Sequence, residues 1–186
     1  MNKSNTSTQT IAMVGMFTAV LAVLSILQIP MPSGVPITLQ TFAVALCGFS
    51  LGRKRGTLCV LLYLILGFIG VPVFTGMTAG IGKLFGYTGG FLYGFLFQAF
   101  FCGMGGEMKN HVAGGIFGLV GLMICHVLGA VHSSIIAQMG FVPSFLLVSV
   151  PYLPKDILSV AGALVVSIIL KKTLAKGGIS LTSHTV

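Results

Sequence analysis

Acidic side chains are almost missing from this sequence: Glu107 and Asp156 are the only two among 186 residues. Chemistry that needs two neighbouring carboxylates, whether general acid–base catalysis or magnesium-assisted phosphoryl transfer, has nothing to build with. Charged residues of either sign amount to 6%, against 55% hydrophobic residues and a mean hydropathy of +1.06. No soluble domain hides that much apolar surface, so the composition predicts a one-domain integral membrane protein over residues 1–186. The four cysteines, Cys47, Cys59, Cys102 and Cys125, fall singly in apolar stretches without a CxxC spacing. That excludes a disulfide framework and leaves them as small core residues. The polar segment 1–10 is not followed by a short apolar stretch with a cleavage site, so no signal peptide is expected.

The net charge of +8 does not read as a nucleic-acid surface, because the basic residues form short clusters between apolar runs. A membrane helix needs about 20 apolar residues. Apolar runs cover 11–29, 37–51, 57–69, 89–102, 112–139 and 145–170, predicting an all-α fold of six transmembrane helices. The third is short and is expected to extend at one end. Pro30, Pro32, Gly34 and Pro36 forbid helix between the first two runs. Residues 73–88 are glycine-rich, predicting a structured outer loop between helices three and four, since irregular backbone at membrane depth must be enclosed by protein. Residues 177–186 form a polar tail. With both termini in the cytoplasm, eight of the ten basic residues lie inside: Lys3, Arg53, Lys54, Arg55, Lys109, Lys171, Lys172 and Lys176. The bias favours that orientation. Lys83 and Lys155 remain outside, either snorkelling to lipid head groups or facing a site.

Asp156 follows Pro151-Tyr-Leu-Pro-Lys155 and opens the last apolar run. The prolines suit a helix start, and a first-turn carboxylate complements the helix dipole. An ionisable group there is also a functional candidate, since it is costly unless solvated, paired or holding something. Gly76 to Gly90 resembles a phosphate loop only superficially: Met77 stands where glycine is needed and Leu84 where serine or threonine is needed. ATP hydrolysis by this chain is not expected. Gly82, Gly86, Gly90 and Gly94, four apart, suit either close helix packing or backbone approach to a ligand. His111, His126 and His132 lack metal-ligand spacing, with His126 and His132 about 240° apart on a helix. Without acidic partners they read as hydrogen-bonded or interface histidines, and no metal site is expected. Ser133 and Ser134 lack a recognisable base. Glu107 lies in a polar turn and is expected to be solvated. Gly15 and Ala19 form a small-xxx-small pair, which favours packing inside the protein but also suits docking of another membrane subunit.

Four stretches taken together are specific: Val35-Pro-Ile-Thr-Leu-Gln40, Gly67-Phe-Ile-Gly-Val-Pro-Val-Phe74, Thr88-Gly-Gly-Phe-Leu-Tyr-Gly-Phe95 and Pro151-Tyr-Leu-Pro-Lys-Asp156. In them the chain resembles the BioY family, the biotin-specific substrate-binding subunits of energy-coupling-factor transporters. The resemblance implies six helices in the cell membrane, no enzymatic activity and no cofactor. It also implies biotin captured from outside, with ATP used only by partners: a transmembrane coupling subunit and two ATPase subunits. Gly15 and Ala19 then correspond to the small-residue docking motif. The chain departs from the family pattern at Tyr87, where proline is expected, and at Gly15, where alanine is usual. Lys155 stands where glycine commonly precedes the aspartate, and Ser159 where a lysine follows it.

Biotin offers a ureido ring with two N–H donors and a carbonyl, an apolar thioether ring and a carboxylate tail. Ionised Asp156 accepts ureido N–H bonds. Lys155 or Lys83 meets the carboxylate, while Thr38, Gln40 and Thr88 supply neutral polar contacts. Phe74, Tyr87 and Tyr152 pack on the rings. The competing readings are a binding subunit for riboflavin or thiamine and a membrane scaffold. A cationic thiamine is ill served by two lysines.

Overall fold

A straight helix of 29 residues would reach about 44 Å, well beyond the roughly 30 Å of a bilayer's hydrocarbon core. In the computed structural model, which describes residues 3–177 and residue 181, with side chains from residue 8, the helix Gln40–Phe68 avoids this by folding at Gly52 (φ 79°, ψ 174°). Its arms, 40–51 and 53–68, lie side by side. Gln40 Nε2 donates to Tyr63 Oη at 2.7 Å, and a Cβ on Gly56 would sit 2.7 Å from the Cys47 carbonyl oxygen. The Arg53-Lys-Arg55 cluster is therefore not a loop but the first turn of the second arm. That arm is the predicted short third run, lengthened at its N-terminal end.

In chain order the elements are α1 (Lys3–Ile26), β1 (Gln28–Ile29), β2 (Ile37–Thr38), α2 (Gln40–Phe68), α3 (Ile81–Leu84), α4 (Gly89–Glu107), α5 (His111–Ile136), α6 (Phe141–Val148) and α7 (Leu153–Lys176). The architecture is all-helical apart from the antiparallel pair β1–β2, which pairs Gln28 with Thr38 and Ile29 with Ile37 around the proline-rich turn. Among the described residues, three helices are long and apolar enough to cross a membrane: Thr8–Ile26, His111–Ile136 and Leu153–Lys176. The predicted sixth run is two helices, because Pro151 and the turn before it separate α6 from α7. The polar start of the chain is helical from Lys3. Lys3's side chain and most of the tail 177–186 lie outside the described residues.

The centre of the bundle is α4, which packs on both arms of α2 and on α5. In lipid, helices associate through close van der Waals contact, so small residues line the seams. A Cβ on Gly105 would lie 2.3 Å from the Gly114 carbonyl oxygen of α5, and one on Gly48 would lie 2.5 Å from the Ala99 carbonyl oxygen of α4. The four-residue glycine spacing does not form one stripe. Gly90 and Gly94 are buried against α5, but Gly82 has open space around it and Gly86 sits in a turn. The chain changes direction at Thr88, which breaks the pattern. The loop before α3 is ordered by a bridge between Phe74 and Thr78, and by bonds from Gly76 N to Ile26 O and from Gly80 N to Gly67 O.

Glu107 is not merely solvated. Its Oε1 accepts from Arg53 N at 2.9 Å and its Oε2 lies 3.5 Å from Arg53 Nε. The carboxylate thus caps the second arm of α2 at the Gly52 fold, where a helix start carries orphan N–H groups.

Candidate functional site

Asp156 sits in the first turn of α7, after Pro154 has started the helix, and only 5% of it is exposed. A buried carboxylate needs partners. Two are ionisable: Lys155 Nζ lies 2.5 Å from Oδ1, and His126 Nε2, from α5, lies 3.3 Å from Oδ2; the Thr41 side chain is a further polar neighbour. The geometry at Oδ1 is ion-pair contact without an aligned hydrogen-bond donor, and His126 Nδ1 is likewise buried without a hydrogen-bond partner. Phe91 stands edge-on to the His126 ring, centroids 5.8 Å apart, and holds its plane.

These groups face a cavity of about 640 Å³, counted with its open mouth. Its mainly apolar wall with a few convergent polar groups matches the usual make-up of small-molecule sites. One side is the turn at Val35 and Pro36 with Thr38 of β2. The others come from Gln40 and Thr41 of α2, Phe74 and Thr75 of the loop, Lys83 of α3, Thr88 just before α4, Phe91 of α4, and Tyr152 at the start of α7. The β1–β2 turn is stitched to α7: Tyr152 Oη donates to Val35 O, and Lys155 Nζ donates to Thr38 O at 3.1 Å.

The structure thus gathers Thr38, Gln40, Phe74, Lys83, Thr88, Tyr152, Lys155 and Asp156 around one space. Tyr87 is not among the lining residues; its ring lies beside Gly34, on the turn. The Gln40 amide is already engaged at both ends, donating to Tyr63 Oη and accepting from Thr75 Oγ1 at 3.2 Å, so it braces the wall. Phe74 is fully buried, edge-on to Tyr63 and seated on Gly67. The two lysines differ. Lys155 is tied to Asp156 and Thr38, whereas the Lys83 ammonium makes no hydrogen bond or ion pair to any described residue. Partial burial lowers the Lys83 ammonium from its usual value, a cost that an incoming anion would relieve.

The sequence reading gives His126 no acidic partner, and the structure corrects it: Asp156 is that partner. The available signal is that a histidine inside an apolar span is a functional candidate whose partner should be sought among the few acids. Thr41, Thr75 and Cys125 also line the cavity, with no motif to mark them, as does Phe91 from the stretch 88–95. No group of three or more metal-ligating side chains occurs among the described residues. At another surface of the bundle, Gly15 and Ala19 are exposed on α1, and a Cβ on Gly15 would meet nothing within 4 Å. The inward-packing reading of that pair is overturned: α1 buries Met13, Val14, Phe17 and Leu21 instead.

Comparison with known proteins gives a consistent result. The biotin transporter BioY2 of Lactococcus lactis subsp. cremoris is 39% identical over 149 residues, covering 75% of this chain and 81% of that one. The biotin transporter BioY of Rhodobacter capsulatus is 35% identical over 180 residues, covering 89% and 93%. A crystal structure of the S-component for biotin from an ECF-type ABC transporter superposes with a TM-score of 0.84 at 28% identity, covering 92% of this chain and 95% of that one. The model of the BioY family matches residues 1–176. Those residues carry all the elements that build the cavity, and the chain belongs to the BioY family of multi-pass membrane transporter components.

Proposed function

We propose that this chain captures biotin in the Asp156 cavity, as the substrate-binding subunit of an uptake transporter in the cell membrane. The observation that carries this reading is a buried carboxylate, paired with Lys155 and His126, facing a mostly apolar cavity that also holds Lys83, an ammonium with no ion pair to any described residue. The ureido N–H groups satisfy Asp156, and Phe74, Phe91 and Tyr152 enclose the rings. Lys83 meets the carboxylate tail, because Lys155 is already held by Asp156 and Thr38. Thr38 and Thr88 serve as polar neighbours, and Tyr87 serves at the turn. The relatives are named as biotin transporters and the superposed crystal structure is an S-component for biotin, which supports this choice of ligand.

In this reading six segments cross the membrane: α1, the two arms of α2, α4, α5 and α7. Both termini are cytoplasmic and the cavity is at the outer end. Lys83 and Lys155 lining one cavity at the end opposite Arg53 and Lys171 supports that orientation. Gly15 and Ala19 present a smooth exposed stripe for a transmembrane coupling subunit that works with two ATPase subunits. Ala19→Trp is expected to retain biotin binding and to lose co-purification with the coupling subunit.

Thermal unfolding in detergent against biotin, riboflavin and thiamine tests the ligand. Biotin alone should raise Tm, by an amount that grows with its concentration. A shift with another vitamin instead, or with none, overturns the reading.

A further inference from the structure

A second cavity lies at the opposite end of the bundle, where α4, α5 and α7 meet, with about 920 Å³ of space counted with its mouth. Lys109, Lys171 and Lys172 converge on it, while Leu164 and Ile168 of α7 form an apolar side. Three lysines around one hollow repel each other unless an anion is present. Glu107 lines the same hollow and brings one negative charge, which the three lysines outnumber. Of the chain's two acids, Asp156 is buried in the other cavity and Glu107 is engaged by Arg53 through both oxygens. Lys171 is held in place by donating to Gly106 O at 2.7 Å, so its ammonium is fixed at the cavity wall. Polar head and apolar wall adjoin within one site, and a small free anion uses only the first.

We propose that this cavity binds an anionic glycerophospholipid, with the phosphate among Lys109, Lys171 and Lys172 and an acyl chain along Leu164 and Ile168. Basic hollows between membrane helices have the chemistry that holds such head groups. Binding here depends neither on Asp156 nor on the vitamin bound.

The test uses the full chain, stripped of lipid in neutral detergent, and follows unfolding as dioleoylphosphatidylglycerol, dioleoylphosphatidylcholine or soluble glycerol 3-phosphate is added. Phosphatidylglycerol should raise Tm by several degrees, with the shift falling as salt increases. Phosphatidylcholine and glycerol 3-phosphate should leave it near its starting value. The double variant Lys109→Gln/Lys172→Gln, both exposed positions, should lose most of the phosphatidylglycerol shift and keep the shift caused by biotin. Native mass spectrometry of the wild type should show retained phosphatidylglycerol, which keeps the test decisive if the variant folds poorly. Equal shifts from both lipids, an undiminished shift in the folded variant, or a wild type that retains no phosphatidylglycerol would overturn the proposal. An equal shift from glycerol 3-phosphate would also overturn it, in favour of a site for soluble phosphate esters.

Discussion

The two acids of this protein stand near opposite ends of α4, a helix of 19 residues and therefore about 28 Å long. Each lies close to a helix start and each is paired with a base, yet they do different work. Glu107 is about one-third exposed, closes the fold at Gly52, and has both oxygens engaged by Arg53. Asp156 is buried, pairs with His126 and Lys155, and faces the cavity. A satisfied carboxylate at a wet end is architecture. A buried one that faces a cavity can serve a ligand, because a carboxylate has about four acceptor positions and a matching donor can take one that its ion-pair partners leave.

That contrast can be broken by substitution. Asp156→Asn should have the largest effect on ligand, weakening biotin by about 1.5 kcal/mol or more, over tenfold, in titration calorimetry. Wild-type affinity in this variant would remove Asp156 from the site. Gly52→Ala should be the largest purely structural change at the other end. It forces a side chain into a left-handed backbone (φ 79°) and against Glu107 Oε1, 2.6 Å from the new Cβ. A loss of about 1–3 kcal/mol is expected in thermal unfolding, with biotin affinity per folded molecule unchanged. Lys83→Gln should weaken biotin several-fold but leave a biotin ester, which lacks the anionic tail, bound as in wild type. Equal losses for both ligands would assign the tail to another residue. Glu107→Gln should have the smallest effect, under about 1 kcal/mol in stability because the pair is partly exposed, with no change in biotin binding.

Much of the Asp156 end is legible in the sequence because scarcity marks position. One aspartate behind two prolines predicts a helix start with a carboxylate in its first turn, and two lysines left over from the basic bias predict a shared end. The cavity contains both lysines and the aspartate. His126 is not legible: it lies far along the chain, and the face α5 turns inward depends on glycine contacts with α4 that no local pattern encodes. The Glu107 end is obscured for the same reason. Its turn looks solvated until the fold at Gly52 brings Arg53 N to it. The Gly15–Ala19 pair shows a further limit, since small residues at that spacing suit an inward or an outward face equally, and only the burial of Phe17 and Leu21 decides between them.

Lys155 touches both the β2 carbonyl of Thr38 and the Asp156 carboxylate, so the cover and the floor of the chamber share one pin. Whatever loosens the carboxylate's hold on that ammonium also frees one of the ties between β2 and the start of α7.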